Sequence, residues 1–253
     1  MKLLFFALAG LMFVIEKKYG RRELPASPKW YLRSISFTLV QSLVVFTLHS
    51  SLDAYFEKHR LYNLDGINEY AATGIAFLVM TFVSYWQHRI KHKFPFLWNY
   101  LHQVHHSPTR IELLTSFYRN PFEIIINMLI MSTVLLLGVG ANRDVALNVV
   151  LLLGIADMFY HWNVKTPYWI GFIIQRPESH GIHHLQGVHA YNYGDLALWD
   201  MMFGTFKNLR NFRGRCGFKE EGETKILSML KGIDMSDGKY YHKKVKKNSI
   251  NNP

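Results

Sequence analysis

The chain carries one cysteine, Cys216, in 253 residues, which excludes an internal disulfide, a cysteine-rich metal site and an iron–sulfur cluster. It has no Gly-x-Gly-x-x-Gly stretch for a flavin or nicotinamide, and no His-Glu-x-x-His pair of the kind that zinc hydrolases use. No glutamate is followed by histidine at the third position, so the Glu-x-x-His repeat of soluble di-iron bundles is missing too. Acid is scarce, with 18 Asp and Glu against 29 Lys and Arg, a formal charge of +11.

Apolar residues are plentiful, at 49%, with 15% aromatic, yet the mean hydropathy is only +0.01. Long apolar runs therefore alternate with strongly polar stretches, as in a multi-pass membrane protein with a large polar lobe. Stretches fit to span lie near 1–15, 34–52, 70–87, 121–139 and 145–162. The first is short and reads as a retained membrane segment rather than a cleaved signal. The last two form a hairpin. The sequence thus predicts an all-α fold, a transmembrane bundle of about four to five spans carrying a polar metal-binding lobe.

Orientation follows from the cations in the short loops. Lys17, Lys18, Arg21, Arg22, Lys29 and Arg33 oppose only Glu16 and Glu23 between the first two spans, which places that loop in the cytosol. The third span then ends inward at Tyr85 to His88, the hairpin returns at His161, and every histidine cluster falls on the cytosolic face. A bacterial inner membrane or an ER-type membrane suits such a chain. Its basic charge is matched to anionic headgroups, with no nucleic-acid partner expected. Residues 1–217 read as one membrane-embedded domain and 218–253 as a loose basic tail. The apolar piece 167–175 is too short to cross and is expected at the interface.

Histidine is the abundant residue, 13 in all, and nine follow a pattern. His88 and His92 are four apart. His102, His105 and His106 form His-x-x-His-His, His180, His183 and His184 repeat it, and His161 ends the fifth span. Helical spacings of three and four direct each set of imidazoles to one place, and neutral imidazole is the commonest protein metal ligand. Nine nitrogens exceed what one ion takes, so two ions with four or five each are expected. His49, His59 and His242 are read as structural or exposed. His189 stands between ligand and outer partner.

Histidine ligation at the cytosolic ends of spans points to a membrane di-iron centre. The segments Tyr85-Trp86-Gln87-His88-Arg89-x-x-His92, Leu97-Trp98-x-x-x-His102-x-x-His105-His106-Ser107, His161-x-Asn163, His180-x-x-His183-His184, Asn192-Tyr193-Gly194-Asp195 and Trp199-Asp200-x-x-Phe203-Gly204-Thr205 resemble the fatty acid hydroxylase superfamily, also called the sterol desaturase family. The resemblance runs in the family's order over residues 85–206. It implies two iron ions, with zinc as a substitute in purified protein, O2 as co-substrate, and hydroxylation or desaturation of an unactivated C–H bond of a sterol, fatty acyl or sphingoid lipid. Electrons would come from a separate cytochrome b5-like or ferredoxin-like donor.

Asn163, Asp195 and Asp200, with His189, are expected to hydrogen-bond the ligand histidines. Many relatives have an aspartate shortly before the Tyr-Trp pair, whereas this chain has Thr81 to Ser84, so an outer carboxylate must come from elsewhere or be absent. Arg89, Lys91 and Arg110 flank the clusters as candidates for an anionic headgroup. A zinc-dependent membrane lipid hydrolase, or a non-catalytic membrane metalloprotein, is the alternative reading.

Overall fold

The computed structural model describes residues 2–219 and 222–236 and is helical throughout. Among the described residues the only β pairings are isolated bridges, Ile174 with Leu196 and Leu185 with Cys216. Five long helices carry the apolar sequence: α1 (Lys2–Tyr19), α2 (Trp30–Lys58), α3 (Glu69–Lys93), α6 (Pro121–Ser132, continued by a π turn to Gly138) and α7 (Arg143–His161). Short helices build the polar lobe: α4 (Pro95–Leu97) and α5 (Gln103–His106), joined by a π turn at Trp98–His102, then α8 (Pro177–His183), α9 (Ala197–Met202) and α10 (Ile226–Leu230).

Helix starts follow local chemistry. Asn68, Asn120 and Asn142 accept a backbone N–H at the first turns of α3, α6 and α7, and Pro121 occupies a first-turn position of α6. Pro95 drives Phe94 into an extended conformation, which ends α3 and turns the chain back on itself. Gly140 closes the α6–α7 hairpin with φ +75°, and an added Cβ would fall 1.9 Å from the Tyr62 carbonyl.

Helices α3 and α7 pack through Ala72, Ala76 and Met80 against Val145, Ala146 and Val149, with Leu135 and Leu136 closing the cluster. The small residues one turn apart on α3 let the backbones approach, the arrangement that serves helix association in lipid. The outward faces are apolar, with Leu3 85%, Phe46 83% and Tyr70 87% exposed on α1, α2 and α3. A water-facing helix bundle would hide such side chains.

All five expected spans coincide with helices. Pro121–Gly138 and Arg143–His161 are the two, among the described residues, long and apolar enough to cross a membrane by length and composition. The piece expected at the interface forms a 3-10 turn at Tyr168–Phe172 with Trp169, Phe172 and Ile173 exposed.

The loose tail expected from residue 218 needs correction. Phe218 and Met229 are fully buried with Trp98 and Tyr118, and Gln103 donates to the Ile233 carbonyl at 2.9 Å. Residues 222–236 belong to the lobe because their few apolar side chains fill a gap beside Trp98. The lysines of the tail, Lys243, Lys244, Lys246 and Lys247, lie outside the described residues, as do His242 and the side chain of His49. His59 is exposed, as expected.

Candidate metal centre

The nine patterned histidines converge in two groups. His88, His92, His102, His106 and His183 form one, and His105, His161, His180 and His184 form the other; within each, the ligand atoms lie within 4.8 Å of one another. Each His-x-x-His-His run is divided between them. Residues i and i+4 of a helix lie about 40° apart on its surface and i+3 falls to the other side. His102 and His106 therefore join the first group while His105 turns to the second, and His180 and His184 join the second while His183 turns to the first. The rings of His106 and His184 stack at 4.2 Å between centroids and join the two groups.

Three connections hold the clusters in register. The break at Phe94 brings the second histidine run back against the end of α3. Gly217 donates to the His184 carbonyl at 3.1 Å and Phe218 to that of Ser107 at 3.2 Å, which ties the second run to the third. Gly217 has φ +80°, and a Cβ there would meet the Pro108 carbonyl at 2.4 Å. The loop after the third run is strained, with His189, Tyr191 and Asn192 all at positive φ. It supplies acceptors: His183 Nδ1 donates to the Tyr191 carbonyl at 2.7 Å and His88 Nδ1 to that of Tyr193 at 2.9 Å. Asn192 fixes this loop by donating to the carbonyls of Ser179 and Lys207 and accepting from the Lys207 N–H.

Four further outer nitrogens have partners, whereas Nδ1 of His105 and of His184 is buried with none. His102 Nδ1 donates to Glu123 Oε1 at 2.8 Å, and His106 Nδ1 faces His189 Nδ1 at 3.0 Å. His161 Nδ1 donates to the Asp157 carbonyl at 2.8 Å with Asp157 Oδ1 3.1 Å away. The Gln175 amide stands 2.6 Å from His180 Nδ1.

With six of the nine outer nitrogens held, the inner ones face each other. Nε2 of His88, His92 and His183 is buried with no hydrogen-bond partner. Nε2 of His102 and His106 are 3.1 Å apart, His180 and His161 3.0 Å, and His180 and His184 3.0 Å. Two nitrogens bound at about 2.1 Å and at right angles on one ion lie about 3.0 Å apart. The donor set thus fits a metal ion in each group, with no carboxylate among the ligands. Burial lowers the proton affinity of His102, His105, His106, His180 and His184 well below the ordinary 6.5, and brings His183 and His189 down to about 3. All seven stay neutral, as metal ligation requires.

Of the expected outer partners, only His189 touches a patterned histidine directly. Asp200 instead accepts from the N–H groups of Tyr193 and Gly194 at 2.9 and 2.8 Å and from Thr205, so it reaches His88 only through the Tyr193 peptide. Burial raises it to about 6. Asp195 bonds the Tyr160 hydroxyl, and burial beside Asp157 pushes it up to about 7. Asn163 takes the N–H and Nε of Arg22 and pins the N-terminal linker to the end of α7. Each of the three is thus taken by a partner other than a patterned histidine.

The residues that do serve the histidines were missed. Glu123 and Asp157 are carboxylates within otherwise apolar helices, and that rarity, with the i, i+4 spacing of Asp157 to His161, was the available signal. Lys91 is buried against Glu123 at 2.8 Å and unavailable to a headgroup. Arg89 bonds the Tyr85 hydroxyl, and Arg110 bonds Glu112 and the Pro25 carbonyl. An open, mainly apolar cleft of about 460 Å³ lies between the ends of α1 and α7, lined by Ile15, Tyr19, Phe159, Trp162, Lys165 and Ile170 among others.

Fold and site together define an all-helical protein with apolar outward faces and two buried polyhistidine groups suited to metal. Residues 73–205, just over half the chain, match the fatty acid hydroxylase family model, and the chain belongs to that family. It is 30% identical to human alkylglycerol monooxygenase over 156 residues, 60% of this chain and 34% of the relative. The zebrafish (Danio rerio) alkylglycerol monooxygenase is 32% identical over 136 residues, 52% and 30% of the two chains. A putative Delta(7)-sterol-C5(6)-desaturase 2 of Arabidopsis thaliana is 25% identical over 179 residues, 67% and 62%. The chain thus spans about a third of the length of the two monooxygenases it matches. No solved structure matches it.

Proposed function

We propose that this protein is an O2-dependent di-iron oxidoreductase that hydroxylates or desaturates an unactivated C–H bond of a membrane lipid. The observation that carries the reading is the pair of buried groups of five and four histidines, with no carboxylate among the ligands. Lipid oxidation is the common theme of a family whose relatives here are named monooxygenase and desaturase.

Nε2 of His88, His92, His102, His106 and His183 would hold one iron, and His105, His161, His180 and His184 the other. Iron bound there supplies the activation of O2 that an inert C–H bond needs. The chain's own groups fix the imidazole tautomers through Tyr191, Tyr193 and Glu123, and enclose the reacting space in residues with almost no solvent contact. The apolar faces of α1 to α3 sit in the bilayer, all five long helices cross or enter it, and the histidine lobe faces the cytosol. The cleft at the end of α7 offers a lipid chain a place to lie, with Lys165 at the headgroup level. Electrons come from a separate cytochrome b5-like or ferredoxin-like protein, since the chain has neither a nucleotide fingerprint nor a cysteine set.

The test is O2 uptake by iron-loaded protein in detergent, given a chemical reductant and a total lipid extract, with mass analysis of the lipids. A lipid gaining one oxygen or losing two hydrogens, dependent on O2, is expected. Iron-loaded protein that never consumes O2, beside zinc-loaded protein that cleaves a lipid ester, would favour a hydrolase instead.

A further inference from the structure

Two carboxylates stand out because nothing in helix packing calls for them. Glu123 lies in the first turn of α6 and is fully buried, and Asp157 lies in the last turns of α7. Each has a cation on one side and a patterned histidine on the other. Glu123 Oε1 accepts from Lys91 Nζ and from His102 Nδ1, both at 2.8 Å. Asp157 Oδ2 accepts from Arg119, and its Oδ1 stands 3.1 Å from His161 Nδ1. The two triads, Lys91–Glu123–His102 and Arg119–Asp157–His161, have the same order of charges. His102 belongs to the group of five and His161 to the group of four.

We propose that Glu123 and Asp157 are positioning residues, one for each ion, which strengthen His102 and His161 as ligands from behind. The assignment rests on the metal-centre reading above. The cation in each triad offsets the cost of placing a carboxylate away from water. A carboxylate oxygen facing Nδ1 draws the Nδ1 proton, so Nε2 keeps its lone pair directed at the ion and becomes a stronger donor. The two contributions differ in kind. His102 Nδ1 has Glu123 as its acceptor, so Glu123 sets both tautomer and charge. His161 Nδ1 already donates to the Asp157 main-chain oxygen at 2.8 Å, so the Asp157 side chain adds charge alone. Removing Glu123 should therefore weaken its ion more than removing Asp157 weakens the other.

The experiment follows release of iron to a ferrous chelator from the full-length protein in detergent, for the wild type, Glu123→Gln, Asp157→Asn and the pair combined. His102→Ala and His161→Ala mark which phase of release belongs to which group. In Glu123→Gln, one iron per chain is expected to leave up to a hundredfold faster while the other keeps its wild-type rate. Asp157→Asn should accelerate the other iron by about tenfold, and the combined variant both. A purely structural role would loosen both irons together. Equal acceleration of both phases by either single variant, or no acceleration by either, overturns the assignment while leaving the two-ion reading intact. Far-ultraviolet circular dichroism checks that each variant is folded. Should Glu123→Gln fail that check, Glu123→Asp carries the same test, because it keeps the charge opposite Lys91 and withdraws it from His102. A wild-type chain that takes up no iron removes both this assignment and the reading beneath it.

Discussion

His180 and His184, one helical turn apart, bring their Nε2 atoms within 3.0 Å of each other, and both residues are almost fully buried. Two imidazole lone pairs cannot face each other at that distance without a proton or a cation between them. Metal should accordingly stabilise the protein strongly. At a free metal concentration about a thousandfold above its dissociation constant, binding contributes about 4 kcal/mol. Chelation is predicted to lower the thermal midpoint in detergent by several degrees, and ferrous iron to restore it. An unchanged midpoint in protein shown to be metal-free would count against a bound ion.

Acid should act on the metal-free protein in a defined window. The imidazoles of His183 and His189 are pushed down to about 3 by burial, and those of His102, His105, His106, His180 and His184 are lowered well below 6.5. Unfolded histidine takes up its proton near pH 6.5, so below that value the unfolded chain binds more protons than the folded one. Stability is then present above about pH 6.5 and is lost as the pH falls toward about 3. Thermal midpoints should fall steeply between about pH 6.5 and 5 and stay level between about pH 7 and 8. A midpoint that is flat down to pH 5 would mean these histidines are not buried.

Asn192→Ala should be costly for its size. Its side chain makes three hydrogen bonds, to Ser179, Lys207 N–H and Lys207 carbonyl, and holds a backbone at φ +51°. Losing them should cost about 2–4 kcal/mol and leave the Tyr191 and Tyr193 carbonyls free to drift from His183 and His88. Denaturant unfolding in detergent measures the first effect and iron content the second. A variant within about 0.5 kcal/mol of wild type would refute this role for the loop.

Much of this was legible in the sequence, and the failures share one cause. The histidine pattern named the nine residues that converge, but the expectation that each run directs its imidazoles to one place fails, because each His-x-x-His-His run is split between the two groups. Which members of the two runs share a group was not readable, since that depends on how α5 and α8 face each other. Apolar run length located all five long helices. The partners were harder. Asn163, Asp195 and Asp200 looked right by proximity in sequence, yet Arg22, Tyr160 and the N–H groups of Tyr193 and Gly194 claim them, whereas Glu123 lies 21 residues from the histidine it serves. The stretch after residue 218 looked unstructured by composition, but Phe218 and Met229 are buried in the lobe, with Ile226, Leu230 and Met235 packed beside them.

Gly217→Ala tests the connection between the second and third histidine runs. The new Cβ would lie 2.4 Å from the Pro108 carbonyl at a φ of +80°, so the segment must shift. A loss of about 2 kcal/mol or more is expected, together with reduced iron content, because the same segment bonds His184 and Ser107. Normal stability and normal iron would show that the segment does not hold the two runs in register.

The central claim, two ions held by two interleaved histidine groups, is tested most directly by counting iron in the purified chain and in a His105→Ala, His183→Ala double variant. That variant removes one histidine from each group while leaving the paired i and i+4 residues of both runs in place. The account predicts about two irons per wild-type chain and loss of both from the variant. One iron in the wild type, or a variant that keeps its full complement, would contradict it.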